Sequence, residues 1–591
     1  MRPKQVSKLL LVGLLPLLLG SSSSQSQPAA KARSEFAPGY PGPGKINPLT
    51  HEYTEGEYRA PRFPSYLKNP KSVDEVMPFA RAAVRQTRSV QGGLGLVNSG
   101  ETVLIIVDMG ADPIILEAVD KAFEERGVTV QYLPRHQAAG VSEEDARRLH
   151  EWVSWAAMNH WGLAEVDRWF GFWDDKNVPK EWLKGRRPDL YDVLYEKLEQ
   201  PPDLVEIQLQ LENQAFPGIV KYLDAHPEVD AVCMGKGGMT SQKKGLGKYH
   251  TKMRGLFLFD NAPVMTSRVG SFPGDLWQMI EERTIEPIAW LDRVQAWDPE
   301  GTDVYWDMTE EEAQVWARGI YLQGHLYMNP RQATGRFPYS VLEFPAFQNK
   351  WLPPIITKTY GTYAGCSNHA GKFDRTAITL EDGYIKKVEG QGKYAEIWEY
   401  VRANYPNIND LTYPYYPKPG YFWQYEAGLG TNPKFALARG NQSGERLHAG
   451  VVHWAFGAQM HHTPEAPVSP PELKEFTRKN KLPWLHWMHI HNLFVTYNVR
   501  VRNANKWITI IDKGRLTALD DPAVRALASR YGDPDDLLAD EWIEDMPGIN
   551  RPGSYAEYAK DPREHLMNVM AKVENGTYEY FYTPPSMRKD R

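Results

Sequence analysis

The chain reads as an α/β N-terminal domain with a mostly parallel sheet, followed by an α+β C-terminal domain with antiparallel sheet. Three observations predict this. A continuous apolar run, Val103-Leu104-Ile105-Ile106-Val107, has the form of a strand buried on both faces, as parallel sheets require. Helical signals follow it at once. After Gly301, β-branched and aromatic runs broken by tight turns take over, which is the signature of antiparallel pairing.

In the first unit, Asp112 is a natural N-cap with Pro113 in the first turn, Ile115, Val119 and Phe123 recur at helical spacing, and Gly127 ends the helix. Val128 to Leu133 resumes as a strand, completing a β-α-β unit. Val229 to Met234 and Leu256 to Phe259 give two further strand signals. Between the first unit and these later strands lies an aromatic-rich insertion, 145–215, with Trp152, Trp155, Trp161, Trp169, Phe170, Trp173 and Trp182. The helical spacing of Trp152, Trp155 and Met158 favours core or inter-domain packing over an aromatic substrate wall. In the second unit, Thr376-Ala377-Ile378-Thr379-Leu380 enters the turn Glu381-Asp382-Gly383, and Phe494 to Val501 and Trp507 to Ile511 are further strands.

The boundaries expected from these signals are a signal peptide over 1–28, a Pro/Gly-rich arm over 29–98, the α/β domain over 99–300, a metal-binding catalytic domain over 301–535 and a C-terminal tail over 536–591 that packs on the body. At 591 residues the chain exceeds what one core usually serves. Arg2, Lys4 and Lys8 precede the apolar run Leu9 to Leu19, which is too short to span a bilayer as a helix. The expected location is therefore periplasmic or secreted, with no stable membrane anchor after processing; an uncleaved anchor is the alternative. A net charge of -6 provides no basic field for a phosphate backbone, so no nucleic-acid partner is expected. Cys233 and Cys366 are the only cysteines, too few for a disulfide framework. The segment Gly235-Lys236-Gly237-Gly238 lacks the Gly-Lys-Ser/Thr ending of a nucleotide loop and reads as a basic surface loop.

The chemistry concentrates in three segments: Tyr425-Glu426-Ala427-Gly428-Leu429-Gly430-Thr431-Asn432-Pro433, then Glu445 through Gly457 with His453, then His489-Ile490-His491-Asn492. In an extended strand His489 and His491 point to one face, so both imidazoles can reach one ion. On its own such a pair is as often a satisfied polar face. With His453 and Glu426 beside glycines, the set points to a metal centre. His461, His462 and His486 lie near these segments and read as surface residues or as residues behind the ligands.

These motifs resemble the thermophilic aminopeptidase family, zinc or cobalt exopeptidases, over roughly residues 95 to 515. The resemblance is carried by Gly100-Glu101-Thr102-Val103-Leu104-Ile105-Ile106-Val107, Gly301-Thr302-Asp303, the Glu426 segment, Val452-His453-Trp454-Ala455-Phe456-Gly457 and His489. It implies Glu426, His453 and His489 as metal ligands, Glu343 as a further ligand, Glu445 as the general base and a homodimer. Two positions depart from the family: His491 stands where an aspartate is expected, and Met460, a weak thioether donor, where a tyrosine ligand is expected. The family is also similar to 2,5-dihydroxypyridine dioxygenases, which hold one ferrous ion. A metal-dependent hydrolase acting on a peptide or small molecule is the first expectation, an Fe(II) dioxygenase acting on a hydroxylated aromatic the second, and a non-catalytic binding protein with structural histidines the third.

Overall fold

The structure, a computed structural model, describes residues 35–64, 69–87, 93–159, 201–235, 243, 245–256, 261–310, 312–313, 321–322, 325–327, 358–368, 371–412, 419–420, 422, 424–435, 447–457, 475–476, 479–480, 482, 488–504 and 506–583. Of these, 155–159, 256, 321–322, 325–327, 393, 397, 400, 404, 406 and 425–426 are described by their backbone alone.

A short strand β1 (Phe63–Pro64) precedes the parallel layer, which comprises β2 (Thr102–Val107), β3 (Thr129–Pro134), β4 (Ala231–Met234) and β5 (Met253–Leu256) in the order β3-β2-β4-β5. Every pairing in that sheet is parallel. The apolar run of β2 is buried from Val103 to Val107, as a central strand covered on both faces must be. Its following helix, Pro113–Glu124, starts where Asp112 accepts the Ile114 N–H at 2.9 Å. It buries Ile115, Val119 and Phe123 against the sheet. Gly127 follows at φ 71°, the left-handed conformation that glycine adopts without steric cost. Residues 257–259 of the expected fourth strand lie outside the described residues, and the pairing of β5 begins three residues before that strand's expected start, at Met253. Of the aromatic insertion, Trp161, Trp169, Phe170, Trp173 and Trp182 also lie outside the described residues; helices Glu143–Asn159 and Pro202–Ala225 flank that stretch.

The remaining strands are β6 (Leu291–Trp297), β7 (Asp303–Asp307), β8 (Tyr321–Leu322), β9 (His325–Tyr327), β10 (Thr359–Asn368), β11 (Gly371–Glu381), β12 (Tyr384–Gly390), β13 (Gln424–Gly430), β14 (Val452–Phe456), β15 (Met488–Asn492), β16 (Thr496–Val501), β17 (Trp507–Asp512), β18 (Arg515–Leu516) and β19 (Phe581–Tyr582). Eight of them form one antiparallel sheet in the order β12-β11-β10-β7-β6-β16-β17-β18, and five form another in the order β15-β14-β13-β9-β8. The molecule therefore combines a parallel sheet with a large antiparallel one. Asp382 and Gly383, at φ 52° and 82°, make the tight β11–β12 turn that the sequence signals, since both central positions of such a turn take positive φ.

Position 300/301 falls in the turn joining β6 to β7, adjacent strands of the eight-stranded sheet. The stretch expected as a Pro/Gly-rich arm, 29–98, includes a helix, Val73–Ala83, whose buried residues pack with the helix after β2. Nearer its start, the Ala37 N–H donates to Gln295 Oε1 at 2.7 Å and the Tyr40 hydroxyl to Asp303 Oδ1 at 2.6 Å, fastening this segment to β6 and β7. Among the described residues no helix is long and apolar enough to cross a membrane.

The two antiparallel sheets approach closely where β10 meets β15. A side-chain carbon on Gly365 would stand 2.7 Å from Ile490 Cγ2 and 3.1 Å from the His491 carbonyl oxygen, so only glycine lets the strands come this near. Trp306, Tyr363, Trp454 and Tyr497 fill this interface as buried aromatic contacts.

Candidate metal centre

The register of the five-stranded sheet assembles the three histidines. Strand β14 pairs antiparallel with β15, so that His453 lies opposite His491 and Ala455 opposite His489. Residues two apart on a strand share a face, so His453, Ala455, His489 and His491 occupy one face, while Trp454, Ile490 and Asn492 turn toward the other. That second face meets the eight-stranded sheet, where Trp454 contacts Tyr363 and Ile490 reaches Gly365. Both faces are buried, and every residue of β14 and β15 is covered.

Strand β13 completes the arrangement on the other side of β14. Gly428 pairs with His453, and Glu426 with Ala455, after a bulge between Gln424 and Glu426. The register thus places position 426 in the row that runs through Ala455 to His489, and Gly428 in the row that runs through His453 to His491. Gly428 and Ala455 are the small residues next to His453 on this face.

Ring centroids are 5.7 Å apart for His453 and His489, and 5.7 Å for His453 and His491. Two imidazoles bound to one zinc ion at ~2.1 Å hold their centroids roughly 5 Å apart, so these separations suit rings grouped around a common point. All three side chains are at most 1% exposed. Among the described residues, the three histidines included, no group of three or more His, Cys, Asp or Glu side chains is placed so that it could hold a metal ion. Glu426 is described by its backbone alone, and Glu343, Glu445, Met460, His461, His462 and His486 lie outside the described residues.

A polar scaffold behind the histidines holds their strands. Asn492 Oδ1 accepts from Trp454 Nε1 at 2.7 Å and from Thr302 Oγ1 at 2.9 Å, and its Nδ2 donates to the Ala364 carbonyl at 2.8 Å, stitching β15 to β14, to β10 and to the β6–β7 turn. Gln424 Oε1, at the start of β13, accepts from Thr359 and Tyr363, each at 2.7 Å. Tyr394, on helix Lys393–Asn404, binds the main chain of His489. Its part was missed in the sequence, because no local signal links a helix tyrosine to a strand 95 residues later.

The motif around Glu426 owes part of its form to packing. Thr431 Oγ1 accepts from Trp277 Nε1 at 3.0 Å and donates to Glu281 Oε1 at 3.3 Å, while Asn432 Oδ1 caps the Lys434 N–H at 2.8 Å. Lys434, fully buried, pairs with Glu541 at 3.2 Å; burial lowers its ammonium below the usual lysine range, against the pull of that carboxylate.

No family model matches the chain, and no curated protein matches it. Among solved structures it is similar to 2,5-dihydroxypyridine dioxygenase from Pseudomonas putida KT2440, at 11% identity and a TM-score of 0.34 over 76% of this chain and 98% of that one. It is also similar to wild-type AmpT from Thermus thermophilus, at 13% identity and a TM-score of 0.32 over 75% of this chain and 99% of that one.

Proposed function

We propose that this protein is a metal-dependent hydrolase whose ion is held by His453, His489 and His491, with Glu426 as the carboxylate partner and zinc or cobalt as the metal. The observation that carries the reading is the cross-strand grouping of three buried imidazoles on one face, with both ring separations from His453 at 5.7 Å. Imidazole is a preferred donor for zinc-type ions, and three of them on one face supply the nitrogen set such an ion takes.

Bound there, such an ion supplies an acidified water as nucleophile. The chain's own contribution is to present neutral imidazoles from two paired strands and to keep bulk water away from them. Glu445 is assigned the role of accepting a proton from the attacking water, and Glu343 that of a further ligand. The substrate is a peptide or other small molecule, reached in a periplasmic or secreted setting, and the working form is a homodimer.

One observation favours a second reading. The described donors are all imidazoles, a set that suits a single ferrous ion as well as it suits zinc, and a ferrous dioxygenase acting on a hydroxylated aromatic would use the same three residues. Elemental analysis of anaerobically purified protein separates the two. Zinc or cobalt with release of amino acids from peptides supports the hydrolase, whereas one ferrous ion with oxygen uptake on hydroxylated aromatics supports the dioxygenase. Protein without bound metal, and with no loss of thermal stability in chelator, would sink both and leave a non-catalytic binding protein.

A further inference from the structure

The C-terminal segment 540–583 builds its own apolar cluster. Trp542, Met546, Tyr555, Leu566, Val569 and Tyr578 pack with Phe63 of the N-terminal arm and a few residues of the body, separately from the main core. The arm and this segment are also joined by backbone: β1 pairs parallel with β19, Arg62 exchanges main-chain hydrogen bonds with Ile543, and Asn550 Nδ2 donates to the Arg59 carbonyl at 3.0 Å. A unit with its own core and its own pairing can open as one piece.

Beside the candidate metal centre this unit packs on Val451, Leu493 and Phe494 of the body, and an ionic set centred on Asp540, which is 3% exposed, adjoins that packing. Its carboxylate pairs with Arg59 of the arm and with Arg515 Nη1 of β18 at 2.8 Å, and its carbonyl accepts from Arg62 Nη1 at 2.8 Å. From the body, His448 Nε2 comes to 3.7 Å from Asp540 Oδ1, beyond hydrogen-bonding distance, with its ring edge-on to Trp542 at 5.3 Å. Both of those facing atoms are buried without a hydrogen bond among the described residues. His448 sits at the root of the histidine-bearing strands: its carbonyl accepts the Val451 N–H at 3.1 Å, and Gly430 at the end of β13 lies against that same carbonyl.

We propose that His448 and Asp540 form an acid-released clasp, in which protonation of the His448 ring frees the 540–583 segment and its paired arm from the strands that carry His453, His489 and His491. The charged groups facing the ring are Asp540 from the segment, Arg59 from the arm and Lys434 from the body, with Arg515 on the far side of Asp540. A second proton there adds a buried positive charge beside cations that one carboxylate already serves. Burial, reinforced by Arg59 and Lys434 and opposed by Asp540, pulls the ring down to about 4 from an ordinary 6.5. The folded clasp keeps His448 neutral while the opened one takes up the proton, so opening is favoured as pH falls below the ordinary value.

Hydrogen-exchange mass spectrometry on the full-length protein, corrected for intrinsic rates, tests this near pH 7.5 and pH 5. Peptides from 540–583 and 51–64 should lose protection together at the lower pH, by roughly thirtyfold in opening equilibrium, while peptides from β2 and β4 hold theirs. His448→Gln should abolish the pH response, and His448→Phe, which keeps the edge contact with Trp542, serves if the glutamine variant does not fold. Asp540→Asn should open the segment at both pH values. Equal protection of the wild-type segment at both pH values, or an undiminished response in a folded His448 variant, would overturn the proposal.

Discussion

The Tyr394 hydroxyl accepts the main-chain N–H of His489 at 3.0 Å and donates to the carbonyl of the same residue at 3.2 Å. His489 lies on β15, an edge strand of the five-stranded sheet, where one row of backbone groups has no neighbouring strand. One phenol therefore does for this residue what a sixth strand would do. Tyr394→Phe removes both bonds while keeping the ring against Phe373, and should cost about 1–3 kcal/mol. Urea denaturation measures it, and an unchanged midpoint would mean that the two bonds contribute nothing net.

The candidate ligands carry the second prediction. His453→Ala, His489→Ala and His491→Ala should each weaken metal binding by more than about a hundredfold, because each removes a donor from the ion rather than a group behind it. Metal content after gel filtration is the readout. Full occupancy in any one variant would remove that residue from the ligand set.

Gly430 is held to its type by contact alone. A methyl group at this position would stand 1.9 Å from the His448 carbonyl oxygen and 2.6 Å from its carbon, both main-chain atoms with no room to yield. Gly430→Ala should push β13 away from the residues preceding β14 and cost more than about 3 kcal/mol. Thermal denaturation showing a change below ~1 kcal/mol would contradict the close approach.

Asp298 is buried in the β6–β7 turn with Glu300, and burial, with Glu300 adding to it, raises its carboxyl well above the usual range despite hydrogen bonds from the Glu300 and Phe494 N–H groups. A carboxyl whose folded value is raised holds its proton in the folded state after the unfolded chain has lost it. It therefore costs stability as pH rises from its unfolded value, ~3.9, toward the raised one. Asp298→Asn removes that contribution. The stability difference between variant and wild type should shift in favour of the variant between about pH 4 and pH 7, as read from paired urea melts. A difference that stays flat over this window would show that the carboxyl ionises normally.

How much of this was legible in the sequence differs by element. The Val103–Val107 strand, the Asp112 cap, the helix face of Ile115, Val119 and Phe123, and the Asp382-Gly383 turn were readable because each depends on residues within a few positions of one another. The shared face of His489 and His491 was readable for the same reason, as a strand alternates with a period of two. Gly365 was not: its necessity comes from a strand that the chain reaches more than 120 residues later. Asn492 was in view beside the histidine pair, yet its role as the joint of Thr302, Ala364 and Trp454 depends on three separate strand regions meeting.

What the amino-acid sequence determined by itself is the local grammar of this protein: which runs extend, which coil, where they turn, and which side chains could serve as ligands. Pairing decided the rest. Whether His453 stands opposite His491 or one residue away depends on the register between β14 and β15, and a slip of one would turn the rings to the opposite face. Nothing within either strand selects that register. It is set by the buried interface behind them, where Trp454, Asn492 and Gly365 meet, and by Tyr394, which binds the edge at His489.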